Sequence, residues 1–283
     1  MAKKNEPSKA IEKVKPALPT VQGVELPEWL AQEEVVGVED LSKHIVPARI
    51  KVVQKQSKQE LLDLFMPGDV IAVPLMAVIA EGERDAKGRP VEGGEARFNI
   101  IPVFFYAEYC TWNDREKCPN DPAILYRTLD PKDPVAIKAR NQRTRIENHP
   151  SVADAKVEHA EHLNFVVVLD DHPLGMDQQF ILSFMRGSHQ QGTNFAARIK
   201  ARKAPIFGCR FEAKVMLKKN MKGEWFVLDC DNPSDERPWV DKDTYEALKM
   251  VHEQYQQYYN DNLIRVNYED EVPDETDAVG DFG

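Results

Sequence analysis

Ile206-Phe-Gly-Cys-Arg-Phe-Glu-Ala-Lys-Val-Met-Leu217 alternates along its length. Phe207, Cys209, Phe211, Ala213, Val215 and Leu217 fall on one side, and Arg210, Glu212 and Lys214 on the other. Successive side chains of a strand point to opposite faces, so this period of two predicts a half-buried antiparallel strand. Lys218–Gly223 then reads as a turn, and Glu224–Cys230 returns as a second strand with Trp-Phe-Val-Leu at its centre. A hairpin of this kind buries one face only, so the rest of the chain must supply a core for it.

Upstream, Leu163–Leu169 and Gln179–Met185 are predicted as a second hairpin around the turn Asp170-Asp171-His172-Pro173-Leu174-Gly175. Thr193 or Asn194 is placed to cap a helix over Phe195–Lys203, which Pro205 stops. Val70–Ala80 and Arg97–Tyr106 read as two more strands, joined through the charged, glycine-rich Glu81–Ala96 into a long hairpin. Each holds a proline, Pro74 and Pro102, which places the hairpin at a sheet edge or a sharp bend. Ser57-Lys-Gln-Glu60 has the spacing of a capping box before a short helix. Residues 107–160 read as an irregular insertion. Near the end, Tyr245, Leu248, His252, Tyr255 and Tyr259 line one face of a helix over Asp241–Asn260, a stripe that reads as packing. The expected class is α+β, mainly antiparallel β: a closed or partly open barrel of six strands with a long hairpin, an inserted helix and a C-terminal helix.

The chain has 283 residues, of which 42% are hydrophobic and 30% charged. That suits one large domain with appendages, read as an arm over 1–25, a body over 26–263 and a tail over 264–283. The arm carries Lys3, Lys4, Lys9, Lys13 and Lys15 and is broken by prolines. The net charge is −10, but seven of the 47 acids lie in the last fifteen residues: Glu269, Asp270, Glu271, Asp274, Glu275, Asp277 and Asp281. Without them 37 bases face 40 acids, so acidity is mostly a property of the tail. Such a segment is too polar to bury itself and is expected to be disordered.

Within Phe180–Lys222 the balance reverses. Arg186, Arg198, Lys200, Arg202, Lys203, Arg210, Lys214, Lys218, Lys219 and Lys222 face a single acid, Glu212, and Phe180, Phe184, Phe195, Phe207 and Phe211 are interleaved. Cations that follow phosphates, and rings that stack on bases, make a surface for single-stranded nucleic acid. The candidate contacts are Arg186, Arg198, Lys200, Arg202, Lys203, Arg210 and Lys214 for phosphates. Phe105, Tyr106, Trp112 and Phe195 are the stacking candidates, with Tyr109 behind them; a core role is the competing reading for these rings, and the expected one for Phe207 and Phe211.

Metal and catalytic signals are weaker. Cys110 and Cys118 are too far apart for a zinc knuckle. Glu158-His159-Ala-Glu161-His162 and Asp170-Asp171-His172 offer no complete ligand set, so neither a metal nor a cofactor is predicted. Cys209 and Cys230 read as buried thiols. Glu212-Ala-Lys214 with Asp170 or Asp171 could mimic the acid-x-lysine step of metal-dependent nucleases, although strand alternation explains it as well. No phosphate-binding or nucleophile-elbow motif is present, and a non-enzyme is expected. No apolar run nears the ~20 residues of a membrane helix, and no signal peptide is seen, so a reducing cytoplasm is expected.

This layout resembles the bacteriophage single-stranded DNA-binding proteins: a strand-rich body, the basic and aromatic stretch Arg186 to Lys222, and the acidic end Glu269–Phe282 with its late aromatic. The resemblance implies an OB-fold body that binds single-stranded DNA in replication or recombination without strong sequence preference. It also implies a tail, with Asp277, Asp281 and Phe282, that competes for the DNA groove or recruits polymerase, helicase and primase. Here Gly283 follows Phe282, a departure from that pattern. Two rival readings are a virion or assembly protein that oligomerises through its hairpins, and the nuclease.

Overall fold

The computed structural model describes residues 46–86, 96–221, 223–235 and 237–268. The arm over 1–25, the tail residues Asp277, Asp281 and Phe282, the hairpin tip with Gly88, Gly93 and Gly94, and Lys222 lie outside these.

The chain is α+β and mainly antiparallel, with one curved, open sheet. Its strands are β1 (Ala48–Val52), β2 (Val70–Val73), β3 (Ala77–Ala80), β4 (Arg97–Trp112), β5 (Ile124–Thr128), β6 (Ile146–Asn148), β7 (Lys156–Asp170), β8 (Gln179–Phe184), β9 (Phe211–Asn220) and β10 (Gly223–Asp231). The helices are α1 (Gln59–Leu62), α2 (Pro134–Ala139), α3 (His189–Ala201) and α4 (Lys242–Asn260). The strand order is β10-β9-β4-β7-β8-β1-β2-β3, with β5 beside β4 and β6 beside β7. Among the described residues only β1 and β8 pair in parallel.

The spine is the β4–β7 ribbon, paired antiparallel from Asn99↔Asp170 to Trp112↔Glu158. Each strand serves two neighbours in turn. The first part of β4 pairs with β9 and the last part with β5. Likewise β7 pairs with β6 at its start and β8 at its end. The sheet therefore curls, and β10 comes back towards the end of β1. There Gln54 stands in for a ladder: its amide donates to Phe226 O at 2.9 Å and accepts from Phe226 N at 2.8 Å. This is the partly open barrel of the sequence reading, with its seam between β1 and β10.

Helix α3 fills the concave side. Phe195 is fully buried, with its ring 4.7 Å from Phe165, 5.0 Å from Phe211 and 6.3 Å from Phe184. The other side is covered by α4 and the strap 263–268. Tyr255, Ile264, Val266 and Tyr268 close over Phe104, Tyr106, Trp112, Val166 and Ile181. Because both faces of β7 are covered, Phe165-Val-Val-Val-Leu169 is buried without alternation. By contrast β9 alternates as read, with Phe211, Ala213 and Val215 buried and Glu212 and Lys214 half-exposed.

Several expectations change. Val70–Ala80 is two short strands, turned at Pro74 after a cis Val73–Pro74 bond, and β3 pairs with β2 rather than β4. The long hairpin is thus replaced by a short one. Pro102 sits at the register shift of β4, where a missing N–H is tolerated. The irregular 107–160 holds the second half of β4, then β5, α2, β6 and the start of β7. The first residues of the presumed tail are core: Ile264, Val266 and Tyr268 are each 1–2% exposed. Ser57 does not cap α1; its hydroxyl accepts from Gln54 N at 2.9 Å. Ile206–Gly208 is a 3-10 turn, so β9 begins at Phe211.

Helix α3 starts a full turn before Thr193, which bonds back to His189 O. Gly192 inside it is required by close approach. A Cβ there would lie 2.5 Å from Phe184 Cβ and 3.1 Å from Leu163 Cδ1. Gly192→Ala is expected to destabilise by about 1–3 kcal/mol, the clash outweighing better helix propensity. Urea unfolding checks this, and a stabilised variant would contradict the packing described.

Candidate functional site

The seam of the barrel is a cleft of about 850 Å³. Its walls come from six separate parts of the chain: β1 with Arg49 and Lys51 and the turn after it through Lys58, the turn after β4 with Asn113 and Arg115, Ile146 of β6, the start of β7, the end of β8 and its continuation past Arg186, and Trp225–Leu228 of β10. Lining cations are Arg49, Lys51, Lys58, Arg115, Lys156 and Arg186, against the acids Asp114, Glu116 and Glu158. The lining is therefore net positive in a chain that is net negative. Ile50, Val52, Val157, Leu182 and Phe226 give it an apolar wall.

Arg186 anchors the inner end. Its side chain is 7% exposed, pairs with Glu158 at 3.1 Å and lies over the Trp112 ring at 4.6 Å. Trp112 is buried and donates from Nε1 to His162 Nε2 at 3.1 Å. Behind it is a polar core unusual for its burial. Tyr268 OH donates to Glu108 Oε2 at 3.1 Å and lies 3.3 Å from Asn164. Arg127 meets Glu108 at 3.5 Å. Burial pushes the Glu108 carboxyl up, against the pull of Arg127. Burial, helped by Arg186, holds the His162 imidazole well below its usual range.

Glu108, Cys110 and His162 bring ligand atoms within 4.8 Å of one another. Their chemistry does not fit a metal ion. Trp112 uses the lone pair on His162 Nε2, so the neutral ring carries its proton on Nδ1 and has no free lone pair to offer. Burial also raises the Cys110 thiol, which opposes the thiolate a metal needs.

Because His162 stays neutral in the fold, its contribution is present above about pH 6.5 and is lost as pH falls from there towards its depressed folded value. The lowered carboxyls Glu161 and Glu147 act in a separate window, below their usual 4.5. His162→Gln, which can still accept from Trp112, is expected to flatten the stability profile between pH 6.5 and 5 by up to about 1.4 kcal/mol per pH unit. Denaturant unfolding at pH 7.0 and 5.5 measures it.

The basic stretch does not assemble into one groove. Arg198 of α3 pairs with Asp229 at 2.9 Å and Asp231 at 3.5 Å. Arg210 pairs with Asp170 at 3.1 Å. Arg202 donates to Pro238 O and Asn232 and lies 4.1 Å over the Phe211 ring. Lys200 and Lys203 are exposed at the end of α3, and Lys214 is half-exposed opposite Asp229. Of the seven phosphate candidates only Arg186 lines the cleft. Of the stacking candidates Tyr106, Trp112 and Phe195 are core rings with 0–3% exposure, which corrects their assignment. Phe105 is 40% exposed, its ring 4.8 Å from Phe165. The acid-x-lysine step is also met by opposite charge: Glu212 accepts from Arg97 at 3.2 Å and Ser234 at 2.9 Å.

The cleft residues Arg49, Asn113 and Trp225 escaped the sequence reading. The available signal was Trp225, an aromatic placed beside the lysine-rich turn. Residues 91–259 match the model for Pam3 phage gp34-like proteins. The chain belongs to the Pam3 phage gp34-like family. The matched region runs through β4–β10 and nearly all of α4, leaving β1, one wall of the cleft, outside it. No curated protein and no solved structure matches the chain. No helix among the described residues is long and apolar enough to cross a membrane.

Proposed function

We propose that this phage-family protein binds single-stranded DNA, without catalysis and without strong sequence preference, in replication or recombination. The observation that carries the reading is the cleft, where a net positive lining and an apolar wall lie together in the seam of a partly open barrel. Single strands need both, cations for the phosphates and apolar surface for the bases. The match of acid to base elsewhere, as at Arg97–Glu212 and Arg210–Asp170, supports a binding rather than a nuclease role.

The tail enters the same reading. It follows directly from Tyr268, whose ring lies 5.5 Å from the Arg49 guanidinium and 5.8 Å from Trp112, both cleft residues. On this reading that anchor lets the seven acids reach the cleft at an effective concentration on the order of millimolar. On this proposal the tail competes with DNA for the cleft, and its release on DNA binding frees it for polymerase, helicase or primase.

Titration with oligo-dT, followed by tryptophan fluorescence, tests the function. Binding is expected at low salt with a log–log salt slope of about −2 to −4, as for three to six neutralised phosphates. A chain ending at Tyr268 should bind about tenfold tighter at low salt, a gain that high salt erases. No binding by either form at low salt would sink the proposal.

A second reading, an assembly protein, is favoured by one observation. β3 is a terminal strand of the sheet, and Leu75, Met76 and Val78 beside it are 38–41% exposed. Stable large oligomers in light scattering, indifferent to DNA, would support it.

A further inference from the structure

We propose that the cleft accommodates one unpaired nucleobase and reads its edge, so that strand binding carries a base preference. This rests on the strand-binding reading and departs from its expectation of indifference to sequence.

Among the buried polar atoms on cleft residues that lack hydrogen-bond partners are Trp225 Nε1, Arg186 Nε and Asn113 Oδ1, as are Ser183 Oγ and Glu158 Oε1. Such groups are costly to leave unmet, and a fold that keeps several on one cleft has a ligand to satisfy them. Their chemistry narrows the ligand. Trp225 and Arg186 offer N–H donors, while Asn113 Oδ1 only accepts. A phosphate would satisfy the donors and be repelled by the Asn113 oxygen. A purely apolar ligand would satisfy none. A base edge presents acceptors and donors together, between two apolar faces.

Shape agrees with chemistry. At about 850 Å³ the cleft has the size of a small-molecule pocket, enough for a base together with its sugar and phosphates. The Arg186 guanidinium, held over Trp112 at 4.6 Å and fixed by Glu158 at 3.1 Å, gives the inner end a planar cation. With one face of that plane on Trp112, the base meets Arg186 edge-on, and the apolar wall of Ile50, Val52, Leu182 and Phe226 covers the face of the base. The lining cations Lys58 and Lys156, the latter donating to Asn148 Oδ1 at 2.7 Å, are assigned to the flanking phosphates.

The test uses the full chain and fluorescently labelled oligomers of about 20 nucleotides, long enough to cover one site. These are dT, dA, dC and an abasic strand with the same sugar–phosphate backbone, read by anisotropy at low salt. The abasic strand is expected to bind about tenfold more weakly than the best homopolymer, and the three homopolymers to differ among themselves by a similar factor. Trp225→Phe retains a ring and removes the N–H. It is expected to bring the homopolymers together while leaving the abasic strand unchanged.

Equal binding of all four strands by the native chain overturns the inference and leaves the strand-binding function standing. So does a Trp225→Phe loss that is the same with and without bases. If no strand binds, the abasic one included, the function itself falls. Should Trp225→Phe fail to fold, the four-strand comparison on the native chain decides alone.

Discussion

Phe195→Ala is expected to lower the unfolding free energy by about 3–5 kcal/mol, because it empties a fully enclosed ring site. The ring is 0% exposed and packs on Phe165, Phe184 and Phe211, joining β7, β8 and β9 through α3. For a chain of this size that is a fall in Tm on the order of 6–20 °C. The sequence reading placed Phe195 among the rings that stack on bases, and the two roles give opposite results. A core ring costs stability and leaves the affinity of the folded fraction unchanged. A stacking ring would cost affinity for oligo-dT and leave the urea midpoint where it was. Unfolding curves and oligonucleotide titrations on one preparation separate them.

The elements legible in the sequence are those whose signal is local. β9 shows its period of two because only one of its faces is buried. α4 begins where it was read because Asp241 accepts from Thr244 N at 2.9 Å, a cap visible in the residues themselves. β4 and β7 were each read as half their length for a physical reason. Their missed ends mix buried polar residues with apolar ones, Glu108 and Thr111 on β4 and His159 and His162 on β7. Buried polar residues in paired strands erase the alternation that marks a strand.

The charge reading failed by a related route. Counted along the chain, Phe180–Lys222 is strongly basic. In space its arginines meet Glu158, Asp170 and Asp229, which come from β7 and β10 on either side of that window. A window of sequence is not a patch of surface once the chain is folded into a sheet, since each strand's partners come from elsewhere. The cleft was hidden for the same reason. Its walls come from β1, β6, β7, β8, β10 and the turn after β4, and no one of them is distinctive alone. Cys209 and Cys230 are buried free thiols, as their strands suggest, and so are Cys110 and Cys118.

Arg186→Met should cost about 3 kcal/mol, because it removes one partner from a buried ion pair while nearly conserving volume. Arg186 and Glu158 are 7% and 15% exposed at 3.1 Å, and without the guanidinium Glu158 retains only Arg145 at 3.5 Å among the ion pairs described. The stacking on Trp112 is lost as well. Lys200→Ala, on the exposed end of α3, is the contrast: a change within about 0.5 kcal/mol. A second readout ties the loss to the site. Arg186 is the leading charge that keeps His162 neutral. Once it is gone the folded pKa of His162 rises towards 6.5, so less stability is lost as pH falls below that value. The deficit of Arg186→Met should therefore be smaller at pH 5.5 than at pH 7.0. A deficit that stays constant would mean that Arg186 acts on the fold through packing alone, and that Trp112 does not link the cleft to the polar core behind it.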